Sequence, residues 1–126
     1  IKSDKILENK INEEIKSGHE VLDFKEITEF EWDSILILPP YSNIQRLEDN
    51  FEIKLSQIKH VGIEHRDDIC LLLFFNNDKI VRMAECPRCP GDFGNNKVEF
   101  IQKNQAIFEK IISVEGNNCF ELRLKK

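Results

Sequence analysis

The chain opens on helical spacing. Ile6, Leu7, Ile11 and Ile15 fall on one stripe of residues 4–17, with Lys and Glu around the rest, Ser3 as a candidate N-cap and Gly18 at the C-terminal stop. Such an amphipathic helix must pack on something. Val21, Leu22, Phe24 and Ile27 form a weaker apolar segment, after which residues 32–38 favour a strand that Pro39 and Pro40 end sharply. Ser42 with Gln45 three residues later fits a capping box, and Ile44, Leu47 and Phe51 recur at helical spacing. A short second helix is predicted over residues 42–50.

Residues 54–63 alternate loosely and read as a strand, and EHRDD at 64–68 reads as a charged turn. The run ICLLLFF at 69–75 is apolar on both faces, which predicts a central strand covered on each side. Asn76, Asn77 and Asp78 tolerate positive φ, and residues 79–85 alternate with Val81 and Met83 on one face, so the two strands form a hairpin. Two Pro, two Gly and two Asn make 86–96 a loop, and residues 106–114 and 118–124 flank Glu115, Gly116 and Asn117 as a closing hairpin. The pattern predicts one α+β domain over residues 1–126, with an antiparallel sheet of about five or six strands, an N-terminal helix and a second short helix.

Composition narrows the function classes. A chain of 126 residues that is 40% hydrophobic and 33% charged buries enough surface to fold alone and is too apolar for disorder. Eighteen basic against 23 acidic residues leave a net charge of -5, so no global field draws nucleic acid, and a basic protein is the better electrostatic complement. The longest apolar run has seven residues, far short of the roughly 20 a bilayer-spanning helix needs. The chain begins at Ile1 rather than Met, which leaves room for a leader or lipid anchor upstream.

Cys70, Cys86, Cys89 and Cys119 form an even set that can make two bridges in an oxidising compartment. A two-residue turn at Asn77 and Asp78 sets Cys70 opposite Glu85 and Cys86 opposite Ile69, which puts the sulfurs on opposite sides of the sheet. A bulge or a three-residue turn brings them together; Cys86 or Cys89 reaches Cys119 instead if the final hairpin lies beside the 86–96 loop. CPRC at 86–89 is also half a zinc site, which His60 and His65, or Cys70 and Cys119, can complete. Its spacing matches a thioredoxin-like pair, but a loop with Pro90 and Gly91 follows where that chemistry needs a helix N-terminus.

Other chemistry is sparse. His19, His60 and His65 stand near no Ser or Cys in a nucleophile elbow, the segment 60–65 is not an HExxH helix, and Gly91-Asp92-Phe93-Gly94 lacks the Lys and Ser or Thr of a phosphate loop. Neither a catalytic residue nor a cofactor is assigned. What remains is a candidate binding surface: Tyr41 after the double proline, and Arg88, Asp92 and Phe93 in the loop, aromatic and Arg side chains of the kind that anchor protein interfaces. Trp32 reads as core.

Three strings carry a resemblance: FEWDSILILPPYS at 30–42, LLLFFNNDKIVRM at 71–83 and ECPRCPGDF at 85–93. Together they resemble a group of small bacterial lipoproteins and exported proteins with WD…PPY and PRxxGDF-like segments and no established activity. Trp32, Asp33, Pro40, Tyr41, Pro87, Arg88, Gly91, Asp92 and Phe93 carry the likeness. The cysteines bracketing Pro87 and Arg88, and the second proline beside Pro40, depart from that pattern. The resemblance implies export to the periplasm or cell envelope. The expectation is a non-enzymatic protein-binding domain, such as an inhibitor or immunity protein that blocks a toxin, with a small zinc protein or a structural domain of an envelope lipoprotein as alternatives.

Overall fold

The apolar run at 69–75 becomes β3 (Ile69–Asn76), and the side chains on both of its faces are buried. In this computed structural model, which describes residues 1–113 and 118–126, β3 lies inside a sheet of order β4-β3-β2-β6, with β2 (Ser34–Leu38), β4 (Lys79–Pro87) and β6 (Ile101–Gln102). A second sheet has the order β1-β7-β8-β5, from β1 (Val21–Asp23), β5 (Gly91–Asp92), β7 (Ile107–Ile112) and β8 (Phe120–Leu124). One face of β3, with Cys70, Leu72 and Phe74, packs with Leu22, Phe108 and Leu122 of the second sheet and with α1 (Lys5–Lys16). The other face, with Leu71, Leu73 and Phe75, is covered by α3 (Ile44–Phe51) and by 3-10 turns at Ser56–Val61 and Ile63–His65. Period-two alternation therefore serves two separate cores.

Aromatic rings fill the layer between the sheets. Phe24, from the short helix α2 (Phe24–Ile27), meets Phe74, Phe93 and Phe108 at centroid distances of 5.8, 5.9 and 5.7 Å. Trp32 sits edge-on to Phe74 at 5.1 Å and donates its indole N–H to the Thr28 hydroxyl at 2.8 Å, so its one polar atom is satisfied.

Leu7, Ile11 and Ile15 of α1 are buried, but Ile6 is 81% exposed. The stripe includes Glu8 instead, whose carboxylate accepts the Glu85 N–H at 2.8 Å while the Asp4 N–H donates to Met83 O at 2.9 Å. Helix and carboxylate together cover the outer edge of β4, which would otherwise offer unpaired groups to another chain. Asp4, one residue beyond the predicted cap, receives the Leu7 N–H at 3.0 Å, and Ser3 turns away to bond Glu85. At the far end the Lys110 ammonium donates to Ser17 O, Ile15 O and Glu14 O at 2.8, 3.1 and 3.4 Å, closing the helix C-terminus from a neighbouring strand.

Other local readings shift. Asn43, not Ser42, caps α3, accepting the Arg46 N–H at 3.0 Å, because the Ser42 hydroxyl donates to Pro39 O at 2.6 Å and so binds the turn. The strand expected over 54–63 is a 3-10 turn whose Ile58 and Val61 reach the core three residues apart. The strand count is eight rather than five or six among the described residues, and β5 pairs β8 in parallel. Strands of two or three residues have no readable pattern; their neighbours define them. The turn expected at Glu115, Gly116 and Asn117 lies outside the described residues, while β7 and β8 on either side pair antiparallel as predicted.

The β3–β4 hairpin keeps the two-residue turn and adds a bulge, the first of the two devices that bring the sulfurs to one face. Asn77 and Asp78 turn it at φ 50 and 66, and the register then shifts so that Phe75 faces Ile80 but Phe74 faces Arg82. Val81 is the extra residue of a bulge. The shift places Cys70 directly opposite Cys86 on one face.

Candidate functional site

At the end of the first sheet away from that turn, β2 runs into Pro39, β3 begins and β4 runs into the 86–96 loop. Three arginines are spent on tying this end together. Arg88 donates from Nε and Nη2 to Asp92 Oδ2 at 3.1 and 3.0 Å, and from Nη1 to Asp67 O at 3.2 Å. The other carboxylate oxygen of Asp92 accepts the Gly94 N–H at 2.8 Å and the Cys70 Sγ at 3.6 Å. Asp92 thus takes four hydrogen bonds that join β3 to both sides of the loop, and those from Arg88 hold its guanidinium more firmly charged than usual. Arg66 makes a two-bond pair with Asp68 at 2.9 Å each and reaches Glu85 at 2.9 Å. Burial pushes the Glu85 carboxyl up, but the Ser3 hydroxyl and Arg66 outweigh it and leave it below the usual carboxylate range. Arg123 pairs with Glu121 at 3.1 Å.

The loop is not the free surface its composition suggests. Phe93, expected to face a partner, is 1% exposed and stacks edge-on to Phe108 at 5.1 Å. Gly91 is closely walled: a Cβ there would lie 2.6 Å from Leu122 Cδ1 and 3.0 Å from Ile15 Cδ1. Asn96 completes the anchoring, its carboxamide taking the Leu124 N–H at 2.8 Å and donating to Leu122 O at 2.7 Å, as a neighbouring strand would. Loops rich in Pro and Gly can still bury an aromatic when their backbone groups are satisfied in this way.

Cys89 is bonded to Cys119, with Cα atoms 5.1 Å apart, and Cys70 and Cys86 are buried free thiols. One bridge forms rather than two. The metal alternative is overturned with it: Cys89 is committed to the disulfide, Cys86 faces the core, and His60 and His65 are exposed beyond the opposite face of β3. Among the described residues no three His, Cys, Asp or Glu side chains come together as a metal site. Burial, then the Asp92 carboxylate, pushes the Cys70 thiol up to about 12, and burial pushes Cys86 up as well.

The surface that does remain is a shallow groove beside the disulfide, lined by Asp67, Arg88, Asp92, Ile112, Glu121 and Arg123. Ile112 is 78% exposed there. Strand parity puts it on the face of Phe108, but Lys110 marks where α1 stops, and two residues further along β7 no helix covers the sheet. Its exposure therefore depends on where another element ends, which no local pattern announces. Tyr41 is 62% exposed at the same end of the first sheet, its N–H donating to Ile63 O and Arg66 O at 3.1 and 3.2 Å, though it does not line the groove. Of the four candidate partner residues, Arg88 and Asp92 meet in one ion pair, Tyr41 stands at the rim and Phe93 is inside. No helix among the described residues is long and apolar enough to cross a membrane. Comparison with protein-family models, curated proteins and solved structures finds no match to the chain.

Proposed function

We propose that the protein is a non-enzymatic, exported or envelope-attached domain that binds another protein through the end carrying the Cys89–Cys119 bridge. The observation that carries this reading is that Tyr41 and Ile112, 62% and 78% exposed, stand at an end whose arginines are already paired internally. Exposed aromatic and aliphatic side chains on an otherwise neutralised, rigid rim suit an interface anchor better than a catalytic pocket. The disulfide supports an oxidising compartment. Net charge of -5 favours a basic partner and speeds encounter with it. An inhibitor or immunity protein acting on a basic toxin enzyme fits this size and charge, and that label rests on analogy with how such proteins work.

The test is crosslinked capture from an envelope extract of the source organism, with wild type and the Tyr41→Ala/Ile112→Asp double variant immobilised side by side. One partner retained by wild type and lost by the variant, with both proteins melting at nearly the same temperature, is expected. Equal retention by both, or no specific partner in repeated captures, would sink the assignment.

A further inference from the structure

The four cysteines divide into two pairs with opposite access to solvent. Cys89 is exposed and Cys119 partly so, whereas Cys70 and Cys86 are 1% and 2% exposed in the core between the sheets. Cys70 and Cys86 face each other across β3 and β4, yet the rung they occupy does not favour a bridge. The Arg88 N–H donates to Asp68 O, and Pro87, opposite Ile69, has no N–H to give; alternation along the ladder therefore makes Cys70–Cys86 a hydrogen-bonded rung. On such rungs opposed Cβ atoms stand about 5.5 Å apart, beyond the roughly 3.5–4.5 Å a disulfide spans. The Cys70 Sγ–H is also engaged with Asp92.

The bonded pair has the reverse setting. The loop it ties is held to β8 by other means: the Phe120 N–H donates to Pro90 O at 2.7 Å, Gly91 and Asp92 pair with Phe120 and Glu121, and Asn96 bonds Leu122 and Leu124. Phe93 is buried in the core on the same segment. Breaking the sulfur bond leaves all of these contacts in place.

We propose that Cys89–Cys119 is a reversible redox latch on an end that stays folded when it opens, and that Cys70 and Cys86 form a sealed dithiol outside that chemistry. The reductant class is a dithiol. One of its thiolates attacks the exposed Cys89 sulfur, the Cys89–Cys119 bond breaks, and Cys119 leaves as a thiolate that takes up a proton. The second reductant thiol then attacks its own sulfur in the mixed disulfide and releases Cys89, so two electrons and two protons pass to the protein and the reductant departs as a cyclic disulfide. Closing runs the same exchange in reverse, with a small-molecule disulfide as the oxidant that leaves as two thiols. Opening unties Cys89 from Cys119 and leaves two thiols at the edge of the Ile112 groove, which both residues line, while the loop stays seated on β8. This inference depends on the cysteines alone and stands whether or not that groove binds a partner.

Thiol counting tests it directly, with dithiothreitol as the reductant and a charged maleimide as the label. The oxidised native protein should take up no label and two equivalents when denatured, matching the two free cysteines. After brief reduction under native conditions, two sites should label, and peptide mapping should place them at Cys89 and Cys119. The Cys89→Ser/Cys119→Ser variant should melt cooperatively, with faster amide exchange confined to the loop tip and to the facing ends of β7 and β8. Labelling of Cys70 or Cys86 in the native protein, a variant that does not fold, or reoxidation to any pair other than Cys89–Cys119 would each overturn the latch.

Discussion

The two ends of the β3–β4 hairpin are closed by different physics. At the turn end the chain needs only residues that tolerate positive φ, Asn77 and Asp78, and one carboxylate, Asp33, that accepts the Asn77 N–H at 2.9 Å. The opposite end takes Arg66, Arg88, Asp92, Asn96 and a disulfide, drawn from segments as far apart as residues 66 and 124. Local turn chemistry finishes its work at the turn. Long-range closure leaves a rim where elements stop at different heights, and Tyr41 and Ile112 remain outside it. A surface with unassigned side chains thus arises where the fold is assembled from distant parts.

The contrast can be broken first at its most buried point. Phe93→Ala should cost about 3–5 kcal/mol in guanidinium unfolding, since it empties a site between Phe24 and Phe108; a loss under about 1 kcal/mol would return the loop to the surface role its composition suggested. Removing the bridge as Cys89→Ser/Cys119→Ser should cost about 3–4 kcal/mol on the chain-entropy account for a separation of 30 residues, checked by the same titration. Asp33→Ala should cost the turn end only about 1–2 kcal/mol, the worth of the two hydrogen bonds its carboxylate accepts from the Asn77 N–H and the Ser34 hydroxyl. A larger loss would mean that the turn leans on distant Asp33 as heavily as the opposite end leans on its own long-range bonds.

Acid should act on the long-range end through Glu85. Its folded carboxyl lies below the ordinary value, so the stability it contributes is fully present above about pH 4.3 and is lost as pH falls through the depressed folded value. Wild type and Glu85→Gln should therefore differ by a constant amount at neutral pH and converge in acid, as read from urea midpoints across that range; parallel curves would show that Arg66 and Ser3 do not hold the charge. The smallest effect belongs to the rim. Tyr41→Ala and Ile112→Ala should each change stability by less than about 0.5 kcal/mol in thermal melts, and a larger loss for either would make it a structural residue.

The resemblance strings look different once folded. Trp32 is an aromatic of the core, Asp33 caps a turn, Gly91 is closely walled by Leu122 and Ile15, and Arg88, Asp92 and Phe93 fasten the loop. Most of these conspicuous residues mark architecture, and of their three aromatics Trp32 and Phe93 are buried while Tyr41 is exposed. The residue that lines the groove most openly, Ile112, carries no motif at all.

Periodicity was enough for α1, α3, the doubly buried β3 and its hairpin, because helix and strand spacing impose burial on neighbours along the chain. Composition gave the acidic balance, and the order of predicted helices and strands gave the α+β class. The bulge at Val81, the choice of Cys119 as the partner of Cys89, the burial of Phe93 and the two- and three-residue strands came only with packing. Each depends on which distant surface arrives opposite a given backbone, a relation that spacing along a single chain does not encode.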